Sequence, residues 1–371
     1  MSAGRVLAAL VALALLVAAA LGGLYTLVTR ELERPLALAR PVVVHLPRGA
    51  GVAEITRRLV EAGVVRRPWL FRLHLALSGR DRRLRAGEYR FEPGMTLAAA
   101  VDRMVRGQVL LHRITVPEGL TVREVYARLR ANDLLAGDLP PLPEEGSLLP
   151  DTWLVPRDYP RRLLVARMQQ AMREALAEAW AARRPDLPLK SPRELLILAS
   201  IVEKETSRPE EYARVAAVYV NRLRRGMKLQ ADPTVVYALT RGEGRLGRPL
   251  TRADLRVDDP YNTYRHAGLP PGPIANPGRA VLMATARPAE VDDLYFVADG
   301  TGGHRFAATF AEHRRNVRHW RRLRRFASGR IPPVPRPRPT VSAAAETRMP
   351  PPPRPRPAAA AVAGNPDGER P

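Results

Sequence analysis

One run of the sequence is apolar enough to be buried, yet it ends in two carboxylates: Leu195-Leu196-Ile197-Leu198-Ala199-Ser200-Ile201-Val202-Glu203-Lys204-Glu205-Thr206. At about 100° per residue, a helix over this run sets both Glu203 and Glu205 beside apolar neighbours. An apolar wall raises the pKa of a carboxyl group, so that the group keeps its proton near neutral pH and can act as a general acid. Helical geometry does not choose between the two glutamates. The alternative is that residues 203–205 form the solvated tip of a helix.

The sequence also encodes a start for this helix. Ser191 occupies the N-cap position, Pro192 the first helical position and Glu194 the third, which is a capping-box arrangement. The periodicity of apolar residues predicts further helices over residues 163–182 and 210–225. We therefore expect a mainly helical domain up to about residue 225, after which Pro- and Gly-rich sequence predicts a loop-rich half.

The composition of the chain excludes several kinds of functional site. The chain has 371 residues, a formal net charge of +23 and no cysteine, which excludes disulfides, a thiolate nucleophile and cysteine-ligated zinc. His266 and His304 are isolated, and the sequence has no His/Glu pair at helical spacing, so we expect neither a metal nor another cofactor. The positive charge favours a polyanionic partner or surface. Because arginine is heavily preferred over lysine throughout the chain, we interpret part of this charge as a bias of overall composition rather than as a functional signal.

Residues 6–28 predict a membrane anchor, since they are uncharged and almost wholly apolar. As a helix this segment spans about 34 Å, enough to cross a bilayer with some tilt. Arg5 precedes it, whereas Arg30 and Arg34 follow it, so the charge bias is slight and favours a cytoplasmic N-terminus. The alternative is a cleavable signal peptide, for which residues 18–20 supply small side chains. Either interpretation places the folded part outside the cytoplasm and argues against a nucleic-acid partner.

Three units of strand, Pro/Gly turn and helix follow the anchor. Their predicted strands and helices are residues 42–46 and 52–62, 87–91 and 96–105, and 113–116 and 121–129, with Thr96 and Thr121 as N-caps. Residues 69–77 predict an extra helix. The first two units resemble a LysM-like module, a fold that commonly grips the sugar backbone of peptidoglycan. A spacer domain without a ligand is the alternative, because Trp69, Tyr89 and Phe91 serve equally well as core residues.

Polar side chains cluster on Pro- and Gly-stiffened segments after the two glutamates. The clusters are residues 227–234 with Gln230 and Asp232, residues 260–278 with Tyr261, Asn262, Thr263 and Tyr264, and residues 294–306. Amides, hydroxyls and aromatic rings suit a sugar site, because sugars offer hydroxyls to hydrogen-bond and apolar ring faces to stack. No serine lies in a nucleophile elbow, and no glycine-rich loop has a phosphate-binding form.

In their order and spacing, these segments resemble the YceG-like endolytic murein transglycosylase family. The resemblance rests on residues 198–206, on Leu229-Gln230-Ala231-Asp232-Pro233-Thr234, on Tyr261-Asn262-Thr263-Tyr264, and on residues 268–272 and 295–300, and residues 150–153 also fit. It extends from the anchor to about residue 325. Any one of these motifs alone would be a weak indication of the family, whereas all of them in this order and spacing are a specific one.

The resemblance implies a lysozyme-like catalytic domain in which the catalytic acid is Glu205, the second glutamate of the run. The Glu205-Thr206 pair resembles the Glu-Ser pair of lysozyme-like transglycosylases, and Tyr261-Asn262 is similar to a Tyr-Asn element in their sugar clefts. The implied substrate-binding residues are Thr206, Gln230, Asp232, Tyr261, Asn262, Thr263 and Tyr264. Packing and loop-closing hydrogen bonds explain Asn262 and Gln230 equally well, and Asp232 before Pro233 also fits a turn or a cap.

The resemblance further implies cleavage of the β-1,4 bond between N-acetylmuramic acid (MurNAc) and N-acetylglucosamine (GlcNAc) in nascent glycan, without water, to leave 1,6-anhydro-MurNAc ends. One carboxyl group suffices, because it acts first as acid and then as base. The implied partners are peptidoglycan strands, the membrane and peptidoglycan synthases. Two alternatives stay open: a muramidase with Glu203, Asp232 or Asp259 as its second carboxylate, and a non-catalytic, membrane-tethered wall-binding protein.

The predicted architecture is α+β, single-pass in the bacterial inner (cytoplasmic) membrane, with most of the chain in the periplasm or outside. Its predicted segments are a cytoplasmic stub and transmembrane anchor at 1–29, a spacer at 30–40, the LysM-like domain at 41–112, a connecting strand, helix and hinge at 113–149, the catalytic domain at 150–328, and a Pro-, Arg- and Ala-rich tail at 329–371. We expect that tail to be disordered, because its composition cannot bury a core.

Overall fold

A computed structural model describes residues 3–244 and 246–327 of the chain. The tail predicted over residues 329–371 lies outside the described residues. The eleven described helices are α1 (Ala3–Glu33), α2 (Val52–Glu61), α3 (Pro68–Ser78), α4 (Leu97–Arg106), α5 (Val122–Arg130), α6 (Arg161–Ala181), α7 (Pro192–Glu205), α8 (Tyr212–Arg224), α9 (Asp232–Thr240), α10 (Arg279–Ala286) and α11 (Phe310–Ala327). The described strands are β1 (Val42–Leu46), β2 (Gly87–Phe91), β3 (Leu111–Thr115), β4 (Leu135–Ala136), β5 (Thr152–Pro156), β6 (Tyr159–Pro160), β7 (Tyr295–Ala298) and β8 (His304–Ala307).

Helix α1 contains the predicted apolar segment. Its part Leu10–Glu33 is long and apolar enough to cross a membrane by length and composition, a test that a signal sequence also passes. The helix continues into the predicted spacer as far as Glu33, and Leu36 is buried. The backbone N–H of Leu36 donates to the carbonyl oxygen of Met95 at 2.7 Å. The segment after α1 is therefore packed against the next module.

The first module is built from β1, α2, α3, β2 and α4. Strands β1 and β2 pair antiparallel, with α2 and α3 between them in sequence, and the Thr96 hydroxyl caps α4 as predicted. The rings of Tyr89 and Phe91 are fully buried in its core, whereas Trp69 is 52% exposed on α3. The predicted strands and helices of this module are thus confirmed. Its likeness to LysM stays a prediction.

The third strand of the sequence pattern belongs to a second core. Strand β3 pairs antiparallel with β5, not with β1 or β2. Helix α5 starts with the predicted cap, because Thr121 and Glu124 exchange side-chain and backbone hydrogen bonds as a complete capping box. The apolar face of α5 packs with Trp153 and with the start of α6. The connecting segment and the first strand of the predicted catalytic domain therefore share one core.

Helix α7 lies in the third and largest core, between α6, α8 and α10. Five of its apolar residues are fully buried, namely Leu195, Leu198, Ala199, Ile201 and Val202. Burying each leucine or isoleucine stabilises the fold by about 1.5–3 kcal/mol. The Ser191 hydroxyl accepts from the Glu194 N–H at 3.3 Å, which confirms the N-cap. The Glu194 carboxylate, however, accepts from Lys190 N–H at 2.6 Å, so the predicted capping box is only half formed.

The predicted loop-rich half contains more helix than expected. Loops occupy residues 246–278 apart from one 3-10 turn at Asp254–Arg256, but α9, α10 and α11 were not predicted. For α9 and α10, the reason is the proline near the start of each helix. Pro233 lies in the first turn of α9 and Pro277 precedes α10, and such residues resemble a turn signal although Pro also fits the first turn of a helix.

Asn276 joins the second and third cores. Its side chain is fully buried; its Oδ1 accepts from the Leu148 N–H at 2.8 Å and its Nδ2 donates to the Leu120 carbonyl at 2.8 Å. The Asn276 carbonyl also accepts from the Gly119 N–H at 3.0 Å. One side chain thus satisfies backbone groups from two loops that carry no regular structure.

We expect the substitution Asn276→Ala to destabilise the protein by about 1–3 kcal/mol, because it leaves the buried Leu148 N–H without its acceptor. Thermal or urea denaturation followed by circular dichroism measures this effect. Gln170→Ala on the exposed face of α6 is the matched control and should change the free energy of unfolding by less than about 0.5 kcal/mol. Equal stability of the two variants would contradict the linking role of Asn276.

Candidate active site

Glu205 is the last residue of α7 and opens into a cleft of about 680 Å³. The cleft lies between the end of α7, the start of α9 and the loop before α5. Its lining includes Glu118, Thr121, Lys204, Glu205, Asp232, Tyr237 and Ile274. The buried run of α7 therefore carries a carboxyl group out of the helical core to the wall of a cavity. Of the two glutamates that end the run, Glu205 is the one that lines this cleft.

Tyr219 on α8 holds the carboxyl group of Glu205. Its hydroxyl donates to Oε1 of Glu205 at 2.6 Å, and its side chain is 1% exposed. The Tyr219 ring packs edge-on against Phe296 of β7 at 5.9 Å between ring centroids. The sequence predicted a helix over residues 210–225, and Tyr219 was not among the predicted site residues. The available signal was its hydroxyl, since a buried tyrosine on an apolar face usually finds a hydrogen-bond partner.

Burial raises the pKa of Glu205 to about 7. The hydrogen bond from Tyr219 opposes this shift, the charge of Asp232 adds to it, and the Arg222 guanidinium lowers the pKa again. Arg222 is itself buried, and its Nε donates to the Leu294 carbonyl at 2.7 Å. A carboxyl group with this pKa is partly protonated at neutral pH, so it can give up a proton and take one back.

Glu203 has a similar pKa but a different position. Its Oε2 accepts from the backbone N–H of Gly278, the N-cap of α10, at 2.9 Å. Burial raises the pKa of Glu203 to about 7, the Gly278 N–H opposes the shift, and the nearby Glu118 carboxylate adds to it. Glu203 does not line the 680 Å³ cleft. Position, not acidity, therefore distinguishes the two glutamates.

Asp232 and Tyr264 form a hydrogen-bonded pair, and the charge of Asp232 acts on Glu205 by raising its pKa. Asp232 begins α9 and lines the cleft, and the Tyr264 hydroxyl donates to its Oδ1 at 2.6 Å. Burial and the Asp232 carboxylate raise the pKa of Tyr264, so its hydroxyl stays a donor at neutral pH. The structure thus brings Glu205, Asp232 and Tyr264 together, as three of the predicted site residues.

The hydroxyl groups of Thr206 and Thr263 form hydrogen bonds within the protein that stabilise nearby turns. Thr206 is 5% exposed; its Oγ1 donates to Glu211 Oε2 at 3.0 Å and accepts from Arg208 N–H at 3.1 Å. The Thr263 Oγ1 accepts from Ala231 N–H at 3.0 Å. Both hydroxyls are therefore engaged in turns beside the cleft and have no visible role at its surface.

Asn262 closes its own loop. It is fully buried; its Nδ2 donates to the Val257 carbonyl at 2.8 Å and its Oδ1 accepts from Tyr264 N–H at 3.0 Å. This is the loop-closing alternative that the sequence left open. Gln230 is exposed and adopts a left-handed backbone conformation with φ 50°, in the turn that leads into α9.

Tyr261 stands behind the cleft wall. Its ring centroid lies 4.9 Å from that of Tyr237, which lines the cleft. A Cβ atom at Gly272 would lie 2.8 Å from the Tyr261 hydroxyl, so glycine at 272 leaves the space that this ring needs. Among the described residues, no group of three or more His, Asp and Glu side chains is placed to hold a metal ion.

Comparisons with a family model and with known proteins point to the same family. A model of the YceG-like family matches residues 44–319. The endolytic murein transglycosylase of Bacillus subtilis strain 168 is 28% identical over 306 residues, which cover 73% of this chain and 82% of that protein. The endolytic murein transglycosylase of Streptococcus pneumoniae strain D39 is 29% identical over 325 residues, which cover 74% of this chain and 58% of that protein. This chain thus spans little more than half the length of the pneumococcal relative.

A solved structure is also similar. The crystal structure of a YceG-like protein from Listeria monocytogenes has 29% sequence identity and a TM-score of 0.46, and the match covers 74% of this chain and 98% of that chain.

We expect Tyr219→Phe to raise the pKa of Glu205 above 7, because the hydrogen bond that favours the carboxylate is lost while the ring stays packed. A ¹³C-carboxyl NMR titration measures this pKa. Tyr212→Phe, on the same helix, is the matched control and should leave the Glu205 titration in place. A lower or unchanged pKa in Tyr219→Phe would show that the hydrogen bond does not set the acidity of Glu205.

Proposed function

Because this chain belongs to the YceG-like family, we propose that it is a membrane-anchored endolytic peptidoglycan transglycosylase that cleaves the MurNAc–GlcNAc β-1,4 bond of nascent glycan. The observation that carries the proposal is the carboxyl group of Glu205, held by Tyr219 at the wall of a cleft with its pKa raised to about 7. The two relatives are named endolytic murein transglycosylases, which agrees with this chemistry. Glu205 is the proposed catalytic residue.

In the first step, protonated Glu205 gives its proton to the glycosidic oxygen as the bond from that oxygen to MurNAc C1 breaks. Tyr219 occupies Oε1 of Glu205, which leaves Oε2 to carry the proton. Positive charge then develops at C1. The carboxylate of Asp232, which lines the same cleft, stabilises that charge, and the Tyr219 hydroxyl stabilises the carboxylate left on Glu205.

In the second step, the Glu205 carboxylate takes the proton from the C6 hydroxyl of the same MurNAc as O6 forms its bond to C1. A 1,6-anhydro ring results, Glu205 is protonated again, and no water is consumed. The nucleophile is tethered to the reacting sugar, so its effective concentration is high and no second carboxylate is needed to activate it.

The dimensions of the cleft support binding within a strand. A second cavity of about 460 Å³ shares Glu124 and Gly244 with the 680 Å³ cleft, so the two adjoin. Each is within the range that encloses a ligand of several rings. A strand that fills both cavities would extend well past the scissile bond, as internal cleavage requires.

A muramidase is the second candidate, and the position of Asp232 favours it. A second carboxylate beside the acid can activate a water molecule, or attack C1 itself, and the product then has an ordinary reducing end. The two candidates use the same Glu205 and differ only in what attacks C1. Their products differ in mass by one water.

The remaining parts of the proposal concern location and partners. We propose that α1 anchors the protein in the bacterial inner (cytoplasmic) membrane in a single pass, with the N-terminus in the cytoplasm and the rest in the periplasm or outside. The length and composition of Leu10–Glu33 support an anchor and equally fit a signal sequence. We propose in addition that the LysM-like module binds the glycan backbone and that peptidoglycan synthases supply the nascent strands.

We expect Glu205→Gln to reduce the rate of glycan cleavage by at least about 10³-fold, because the amide cannot donate the proton. Purified protein is incubated with uncrosslinked glycan, and the ends of the products are identified by mass spectrometry. The wild-type protein should yield anhydro ends, one water lighter than reducing ends.

Glu203→Gln is the matched control, since it changes the same atoms two residues away and outside the cleft. It should keep most of the activity. Reducing ends from the wild-type protein would identify a muramidase. Full activity in Glu205→Gln would remove Glu205 from the reaction, and binding of glycan without any product would leave a wall-binding protein.

The pH dependence follows from the sign of the Glu205 shift. Cleavage starts from protonated Glu205, so kcat/KM should be constant at low pH and fall as the pH rises through about 7. In Tyr219→Phe the same fall should move to higher pH, because the carboxylate is less stabilised. Glu203→Gln should not move it, which separates Glu205 from the other carboxyl group with a pKa of about 7. A rate that rises through pH 7 would contradict a protonated acid.

A further inference from the structure

Helix α3 is apolar on two opposite sides, but only one side is covered. Leu70, Phe71 and Leu75 are buried in the first module, whereas Trp69 is 52% and Leu77 is 74% exposed. The apolar face of a helix is normally buried against another part of the protein. Several large apolar side chains exposed on one surface mark a site of interaction with a protein, a ligand or a membrane.

The start of α3 lies against the end of α1. The guanidinium of Arg67 is 3.9 Å from the Glu31 carboxylate, measured from Nε to Oε2, and Arg66 lines the same junction. Leu32 of α1 packs against the core of the first module. Since Leu36 is also bonded to the module, no free linker separates α1 from α3.

This contact fixes the height of α3 relative to the apolar segment. Tyr25 on α1 is 71% exposed, and an aromatic ring near the end of an apolar helix is typical of the membrane interface. Glu31 follows Tyr25 by about 9 Å along the helix axis. The polar headgroup region is about 5–8 Å deep on each side of a bilayer, so Arg67 and its neighbours lie at or just above it.

The charge of this region suits an anionic surface. Residues 62–80 contain four arginines and no Asp or Glu. Arg67 faces Glu31 and Arg80 is paired with Asp102, so Arg66 and Arg72 supply the charge that faces outward. Each Lys or Arg near an anionic leaflet contributes about 1 kcal/mol of attraction. A sugar platform is the competing use of an exposed tryptophan, but it explains neither the arginines nor the contact with α1.

We propose that the start of α3 docks onto the headgroup layer of an anionic membrane, with the Trp69 ring among the headgroups and Arg66 and Arg72 on the lipid phosphates. This rests on the membrane anchoring proposed above and not on the reaction. Together with α1, the contact gives the first module two points of attachment. It therefore prevents the module from rotating freely about a single helix.

The test is the depth of Trp69 in the full-length protein, reconstituted in vesicles of phosphatidylcholine and phosphatidylglycerol. The emission of Trp69 is the difference between the wild-type protein and Trp69→Phe. A spin label on the lipid headgroup should quench about half of this difference emission, and aqueous iodide should quench little of it. An equal response of wild type and Trp69→Phe to the spin label would overturn the proposal.

Charge reversal gives the matched pair. Arg66→Glu should at least double the quenching of Trp69 by iodide in anionic vesicles, whereas Arg83→Glu, an exposed arginine in the turn after α3, should not. Equal effects of the two substitutions would contradict docking by charge. Protection of Trp69 from iodide by uncrosslinked glycan rather than by lipid would overturn membrane docking and support the sugar platform.

The quenching of Trp69 does not depend on whether the protein cleaves glycan. Glu205→Gln should show the same quenching as the wild type, so loss of activity does not mimic loss of docking. A protein that fails to float with the vesicles would overturn both the anchor and this proposal, while its glycan cleavage would remain measurable.

Discussion

The hydrogen bond between Tyr219 and Glu205 is the interaction on which the candidate site depends. It joins the end of α7 to the middle of α8 and fixes one oxygen of the carboxyl group at 2.6 Å. Burial pushes the pKa of Glu205 up, and this hydrogen bond limits the rise, so that the value stays near 7. The Tyr219 ring is buried in the helical core and packs edge-on against Phe296, which holds the hydroxyl in position for Glu205.

The cleft in front of Glu205 is assembled from distant parts of the chain. Its far wall is the loop of residues 117–121, whose Gly119 carbonyl accepts from Lys204 Nζ at 3.0 Å. Asn276 holds the same loop from behind through its bond to Leu120. The capping box of α5 orders the end of that loop. The second core therefore acts as the partner of the helical core, and the cleft is the seam between them.

Several features could be predicted from the sequence because they depend on residues that are close together along the chain. The Ser191 cap, the apolar run of α7 and the strand and helix order of the first module follow from local patterns and were found where expected. Helix α9 was missed because Asp232 and Pro233 resemble a turn, and only burial of the residues after them makes the segment helical. Thr206 looked like a substrate contact, yet its hydroxyl bonds Glu211, which the motif does not include.

The sequence by itself determined that two carboxyl groups end a buried helix, and the family resemblance singled out Glu205. Only the tertiary structure decided which of them faces the cleft. Glu203 is bonded by Gly278, 75 residues later, and Glu205 by Tyr219, 14 residues later. The pattern along one helix cannot encode these contacts, because the direction of a side chain at a helix end depends on what the rest of the chain packs around it.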